Sequence, residues 1–198
     1  EICACLVGSE MCIRDRTKPI VFYGTSILQG GCANRPGMAH TNIISRRLNR
    51  EIINLGFSGN ALLDYEIAEV MSSVDAGVYV LDFVPNASSD QIYEKMETFY
   101  RILRDKHPRT PIIFIEDPVF THALFDKKIA IEINKKNKAV NSVFRSLKTK
   151  GEKNIYMISS EKMLGEDGEA TVDGIHFTDL GMMRYADFVC PIIKKAIK

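Results

Sequence analysis

The sequence predicts an α/β fold, a three-layer α/β/α sandwich in which helices cover both faces of a five-stranded parallel sheet. Two observations lead to this prediction. From Lys18 onward, short apolar strand patterns alternate with amphipathic helical patterns, as they do in proteins whose parallel strands are buried on both faces. The chain has 198 residues, of which 45% are hydrophobic and 26% charged, values that fit one globular domain.

The five predicted strands are apolar runs that end at glycine or polar residues. They lie at 19–23, 51–55, 77–83, 112–116 and 154–158. We expect the flavodoxin-like strand order for this alternation of strands and helices. In such sheets, functional sites gather outside the carboxyl ends of the strands, so the residues that follow each strand are the ones to inspect.

The five predicted helices carry apolar residues at spacings of three and four. They lie at 39–49, 62–72, 89–106, 127–150 and 178–196. In the second of these helices, the spacing directs Ile67, Val70 and Met71 towards the core. Ser89 can cap the third helix through its hydroxyl group.

The charge balance excludes several classes of partner. The chain has 26 Lys and Arg against 25 Asp and Glu, a net charge of +1, which is too balanced for a protein that tracks a nucleic-acid backbone or an anionic membrane. Glu132 interrupts the basic run of the helix at 127–150, which we interpret as a solvated face. No apolar run reaches the roughly 18 residues that a bilayer span requires. A small substrate is therefore the expected partner.

Residues 1–16 differ in character from the rest of the chain. The stretch EICACLVGSEMCIRDR resembles a translated sequencing-adaptor peptide, and we interpret it as a non-native leader that precedes one domain at 17–198. It lacks the basic start and the cleavage site of a secretory signal. Cys3, Cys5 and Cys12 could be metal ligands, but no His or fourth Cys nearby completes a tetrahedral set. We therefore expect unpaired thiols and no bound metal.

Residues with useful chemistry follow the predicted strands. Ser26 lies just after the first strand, and Asp173 and His176 lie in the loop before the last helix. A serine hydroxyl is a poor nucleophile unless a base lies beside it, and a histidine base needs a group that holds its tautomer. Asp173 and His176, three residues apart on one turn, can supply both functions for Ser26.

An acyl-transfer site also needs hydrogen-bond donors for the oxyanion, each worth about 3–4 kcal/mol. Three candidate donors follow three different strands: the backbone N–H of Ser26, the backbone N–H of Gly59, which no Cβ screens, and the side-chain amide of Asn86. The order Ser, Asp, His also occurs in α/β-hydrolases, but their G-x-S-x-G elbow is absent. No glycine-rich dinucleotide or Walker pattern is present either, so no cofactor is expected.

Together, these four blocks resemble the SGNH (GDSL-like) hydrolase superfamily, whose Ser, Gly, Asn and His are matched by Ser26, Gly59, Asn86 and His176. The likeness extends from Lys18 to the C-terminus. It implies a cofactor-independent serine esterase that forms an acyl-enzyme. The expected substrate is a carbohydrate or another hydroxylated molecule that carries a short acyl group such as acetyl.

The run YGTSILQGGCANRPGMAHTN at 23–42 resembles a bacterial branch of the superfamily in which a β-sandwich domain often precedes the hydrolase domain. This resemblance implies a lost upstream module and export to the periplasm or beyond. The chain departs from the family pattern at Thr25, where Asp is usual, around Asn86, where Gly-x-Asn-Asp is usual, and at Phe177, where Pro is usual. These departures bear on the pocket more than on the reaction.

Two other functions remain open. A non-catalytic flavodoxin-like module could hold a phosphate or a sugar at the loop after the first strand, although such a site needs no Asp–His pair. A phospholipid or lysophospholipid hydrolase could use the same groups. Arg35 and His122 are candidates for substrate binding, while His40 is expected near the site without a defined task, and His107 at a surface helix end.

Overall fold

A computed structural model describes residues 17–198; the interpreted leader at 1–16 and its three cysteines lie outside the described residues. The strands are β1 (Ile20–Gly24), β2 (Ile52–Gly56), β3 (Val78–Asp82), β4 (Ile112–Ile115) and β5 (Ile155–Ile158). They form one sheet in the order β2-β1-β3-β4-β5, and the paired strands are parallel. The predicted flavodoxin-like order is confirmed, and each strand bound lies within one residue of its prediction.

The helices of the described chain pack on both sides of this sheet. They are α1 (Ser26–Gln29), α2 (His40–Leu48), α3 (Tyr65–Ser72), α4 (Ser89–Lys106), α5 (Lys127–Thr149) and α6 (Asp179–Ala196). The sequence did not predict α1, because four residues are too few to show a helical period. Helix α3 begins later than predicted because Leu63 has a φ of 60°, a left-handed conformation that is incompatible with a right-handed helix.

Alternate residues of each strand supply two cores, one on each face of the sheet. From β1, Val21 and Tyr23 pack beneath α3, α4 and α5, whereas Ile20 and Phe22 pack on the side of α2 and α6. The prediction that Val70 faces the core is wrong, since its side chain is 57% exposed. Met71 is buried as predicted, and Ala68 is buried as well, because the buried face of the helix is rotated away from Val70.

The chain forms different features at the carboxyl ends and at the amino ends of the strands. Beyond the carboxyl ends of the strands, the segment between β5 and α6 folds into a hairpin, with an antiparallel bridge between Thr171 and Phe177. A hydrogen bond from the backbone N–H of Val172 to the His176 carbonyl closes the hairpin at 2.8 Å. At the amino ends of the strands, a groove is lined by residues that include Lys18, Gly77 and Ile197. No helix among residues 17–198 is long and apolar enough to cross a membrane.

Candidate active site

Strand β1 carries Ser26 to the carboxyl edge of the sheet. The side chain of Thr25 caps α1 by accepting a hydrogen bond from the backbone N–H of Ile27 at 3.3 Å. Ser26 is therefore the first residue of a short helix, where backbone N–H groups have no intrahelical partner. Thr25, which stands where the resemblance implies an Asp, thus has a local structural task, and it is buried.

The side chains of Ser26, His176 and Asp173 form a continuous chain of polar contacts. The Oγ atom of Ser26 lies 2.9 Å from Nε2 of His176, and Nδ1 of the same ring lies 2.6 Å from Oδ2 of Asp173. The second carboxylate oxygen of Asp173 accepts hydrogen bonds from the backbone N–H groups of Ile175 and His176, at 3.0 and 2.7 Å. One side chain therefore shapes the turn and orients the imidazole.

The environment of Asp173 keeps its carboxylate charged. Burial alone would raise the pKa of this carboxyl, but hydrogen bonds from the His176 ring and from the backbone N–H groups of His176 and Ile175 outweigh burial and lower the pKa to about 2. A carboxylate at this position favours the tautomer with the proton on Nδ1. The other nitrogen, Nε2, is then free to accept the hydroxyl proton of Ser26.

Gly59 and Asn86 line the same cavity as Ser26. Gly59 has a φ of 68°, and a Cβ built on it would meet nothing within 4 Å. The turn therefore favours glycine for its backbone conformation, and crowding plays no part. The side-chain oxygen of Asn86 accepts a hydrogen bond from the backbone N–H of Ala61 at 3.3 Å, so the amide nitrogen is the atom of this side chain that can donate to another group.

A cavity of about 480 Å³ contains Ser26, Gly59, Asn86 and His176 in its lining. The structure thus brings four of the sequence-predicted site residues to one place, with Asp173 behind the imidazole. Apolar side chains form much of the remaining wall: Ile27, Pro85, Phe120, Ile129, Ile133 and Ile175. Charged side chains also border the cavity: Asp117, Glu132 and Lys136.

Asp117 and Lys136 also line this cavity, and neither is predicted as a site residue from the sequence. Asp117 follows β4 by two positions, so the rule that sites gather after strands could have identified it. The prediction that the basic residues of α5 form a solvated face is wrong for Lys136, since its side chain is only 14% exposed. No local signal distinguishes Lys136 from its neighbours, because the helix's placement over the sheet decides which lysine turns inward.

Asp117 and Lys136 form a buried ion pair with a spacing of 3.8 Å between Oδ2 and Nζ. Lys136 also donates a hydrogen bond to the Pro85 carbonyl at 2.9 Å. Burial raises the pKa of Asp117 to about 7, although the Lys136 ammonium acts in the opposite direction. Among the described residues, Oδ1 of Asp117 has no hydrogen-bond partner.

Arg35 and His122, the two candidates for substrate binding, do not line the cavity. Arg35 is exposed, and its guanidinium donates to the side-chain oxygen of Asn34 at 3.2 Å. The backbone N–H of His122 donates to the Gly174 carbonyl at 3.1 Å, and its side chain lies close beneath Gly174. His122 therefore supports the turn that carries Asp173 and His176.

The remaining histidines lie away from the cavity lining. His40 is fully buried, with its ring centroid 4.3 Å from that of Tyr185, and burial lowers its pKa to about 3. His107 follows the last residue of α4, and its Nε2 donates to the Ser72 carbonyl at 2.8 Å. Within residues 17–198, no group of three or more His, Cys, Asp or Glu side chains could hold a metal ion.

Comparisons with known proteins agree with this architecture. The family model described as GDSL-like Lipase/Acylhydrolase matches residues 17–194. A comparison with curated proteins gives no significant match. A solved structure of the GDSL-like lipase type from Bacteroides ovatus is 40% identical, with a TM-score of 0.89, over 91% of this chain and 54% of that one. The chain thus spans about half the length of that relative.

More distant structures share the fold. A salicylyl-acyltransferase from a tetracycline biosynthetic pathway is 17% identical, with a TM-score of 0.79, over 92% of this chain and 57% of its own. A family two carbohydrate esterase from Clostridium thermocellum, solved with cellohexaose, is 16% identical, with a TM-score of 0.69, over 90% of this chain and 64% of its own. The family model covers nearly all the described residues, and the chain belongs to the GDSL-like lipase/acylhydrolase family.

Proposed function

We propose that the protein is a serine esterase that uses Ser26, His176 and Asp173 as a triad. One observation carries the proposal: the chain of contacts from Ser26 Oγ to His176 Nε2 at 2.9 Å and from His176 Nδ1 to Asp173 Oδ2 at 2.6 Å. This chain ends at a cavity large enough for a small ester. Membership of an acylhydrolase family supports the same reaction class.

In the proposed mechanism, Ser26 Oγ attacks the ester carbonyl carbon while His176 Nε2 accepts the hydroxyl proton. Asp173 stabilises the resulting imidazolium and does not itself take the proton. The oxyanion accepts hydrogen bonds from the backbone N–H groups of Ser26 and Gly59 and from the Asn86 amide. His176 then protonates the leaving alkoxide. Water, activated by the same imidazole, hydrolyses the acyl-enzyme and releases the acid.

The proposed substrate is a hydroxylated molecule, such as a carbohydrate, that carries a short acyl group. Asp117, Glu132 and Lys136 border the cavity beside its apolar wall, and such groups can hydrogen-bond to free hydroxyls of the alcohol portion. A long lipid chain would have to be buried against these same charges, which costs free energy. Two carbohydrate esterases, of families two and 3, are among the proteins that share the fold.

The decisive experiment is labelling with a fluorophosphonate, combined with turnover of an aryl acetate and of acetylated sugars. We expect the probe to form an adduct on Ser26 in the wild type, located by peptide mass spectrometry. Ser26→Ala should abolish labelling and lower kcat by at least about 10⁴-fold. Ser142→Ala, a change at an exposed serine of α5, is the matched control and should retain full turnover.

Near-normal turnover by Ser26→Ala would refute the triad. A wild-type protein that binds sugars or phosphate but neither reacts with the probe nor hydrolyses any ester would instead establish the non-catalytic module. Hydrolysis of lysophospholipid in strong preference to acetylated sugars would retain the triad but reject the proposed substrate.

A further inference from the structure

Lys136 is tied to the loop that presents Asn86. Its Nζ atom donates a hydrogen bond to the Pro85 carbonyl at 2.9 Å, and Pro85 directly precedes Asn86. The lysine belongs to α5, whereas the loop follows β3, so this bond joins two elements on different parts of the chain. A second bond, from the N–H of Ala61 to the side-chain oxygen of Asn86, orients the amide from the other side.

Asp117 in turn holds the Lys136 ammonium. The two side chains pair at 3.8 Å, and that of Asp117 is only 2% exposed. The backbone of Asp117 is itself fixed, because the side-chain amide of Asn137 accepts from its N–H at 2.8 Å and donates to its carbonyl at 3.0 Å. Asn137 is the neighbour of Lys136 on α5, so both partners of the ion pair are anchored to the same turn of helix.

A buried ion pair of this kind needs a reason other than stability. Removing two charges from water costs free energy that their attraction only partly returns, and well-packed apolar residues often serve stability as well. An oxyanion donor, by contrast, must lie within about 2.7–3.1 Å of the oxygen in the transition state. A displacement of about 1 Å can lower a rate a hundredfold.

We propose that Lys136 is a positioning residue: together with Asp117, it fixes the Pro85 carbonyl and so holds the Asn86 amide where the oxyanion forms. This inference rests on the proposed esterase function, because the oxyanion arises only in that reaction. Lys136 acts on the transition state through Asn86, and its loss should therefore lower kcat more than it changes KM.

A double-mutant cycle tests this inference with an aryl acetate as substrate. We expect Lys136→Met to lower kcat by about tenfold to a hundredfold and to change KM by less than about threefold. In an Asn86→Ala background, the same Lys136→Met change should alter kcat by less than about threefold, because the group it positions is already gone. Lys138→Met, at an exposed lysine of the same helix, is the matched control and should leave kcat unchanged.

Equal losses in the two backgrounds would show that Lys136 acts independently of Asn86 and would overturn the inference. If Lys136→Met does not fold, Asp117→Asn can replace it, because this change keeps the side-chain shape. The double-mutant cycle of Asp117→Asn with Asn86→Ala then has the same expected results. The NMR signals of the Asn86 side-chain amide give a readout that needs no turnover: they should shift or broaden in Lys136→Met, and unchanged signals would count against positioning. If the wild type hydrolyses no ester and the fluorophosphonate does not label Ser26, the esterase proposal itself is refuted, whatever the amide signals show.

Discussion

At the scale of single residues, Asp173 shows how much one carboxylate can organise. Its Oδ2 contacts the His176 ring, while its Oδ1 accepts two backbone hydrogen bonds that close the turn. One carboxylate oxygen of Asp173 therefore stabilises the backbone turn, and the other orients the imidazole. A substitution that keeps the first role and alters the second can separate structure from chemistry.

Asp173→Asn makes this separation. The amide oxygen can still accept the two backbone N–H groups, but an amide N–H facing Nδ1 favours the tautomer with the proton on Nε2, which cannot take the proton from Ser26. We expect kcat for an aryl acetate to fall by about 10³- to 10⁴-fold while the melting temperature stays close to that of the wild type. Steady-state kinetics and circular dichroism measure the two effects, and a loss of less than tenfold would contradict the proposed role.

The residues of the site could be predicted unequally from the sequence. Ser26, Asn86 and the Asp–His turn each stand in a short motif beside a predicted strand or helix end, and the strand order then brings them together. Lys136 could not be predicted, because its inward direction depends on how α5 lies over the sheet. Arg35 stood out only by its motif, and the fold leaves it exposed.

At the scale of elements, the hairpin that carries His176 rests on the start of α6. Thr178 caps the helix by accepting from the N–H of Gly181 at 3.1 Å, and its own N–H donates to the Ala170 carbonyl at 3.0 Å. A Cβ on Gly181 would lie 2.1 Å from that carbonyl oxygen. The close approach of hairpin and helix therefore requires glycine.

Gly181→Ala tests this contact. In an open helix the change would stabilise the protein by about 0.5–1 kcal/mol, but here the backbone must move. We expect the melting temperature to fall by roughly 5 °C or more and kcat to fall with it, because the hairpin holds His176. Gly37→Ala is the control, since the nearest atom to its Cβ would be 3.7 Å away; equal melting temperatures for the two variants would refute the argument.

Strand positions could be predicted closely because apolar runs mark buried strands directly. Helix faces were harder, as Val70 shows: α3 is only eight residues long, and so short a pattern fits more than one rotation about the helix axis. The start of this helix depended on the positive φ of Leu63, which no residue type indicated.

At the scale of the whole molecule, the parallel sheet brings carboxyl groups together at the carboxyl ends of its strands. Asp82 ends β3 and accepts a hydrogen bond from the Tyr185 hydroxyl of α6 at 2.5 Å. Burial raises its pKa to about 7, and the charge of Asp117 acts in the same direction, whereas the Tyr185 bond opposes them. The folded protein therefore holds this proton more tightly than the unfolded chain, whose carboxyl has a pKa near its ordinary value of 3.8.

This difference predicts how stability depends on pH. The contribution of Asp82 is fully present below about pH 4 and is lost as the pH rises towards 7, because unfolding then releases a proton. Asp82→Asn stays neutral at every pH and can still accept from Tyr185. We expect its free energy of unfolding, relative to the wild type, to improve from pH 5 to about pH 7 and to level off above that pH in urea titrations. Asp105→Asn is an exposed control with the same change in net charge, and its free energy of unfolding should vary with pH in parallel with that of the wild type. A curve for Asp82→Asn that is also parallel to the wild type would contradict the prediction.

The groove at the amino ends of the strands has a practical consequence. Lys18 and Ile197, near opposite ends of the described chain, both line it, while Ser26 and His176 border the cavity beyond the carboxyl ends. A dye, an affinity tether or a bead attached at either residue therefore lies at the opposite ends of the strands from Ser26. Immobilised or tagged preparations should consequently admit the same molecules to the cavity as the free protein does.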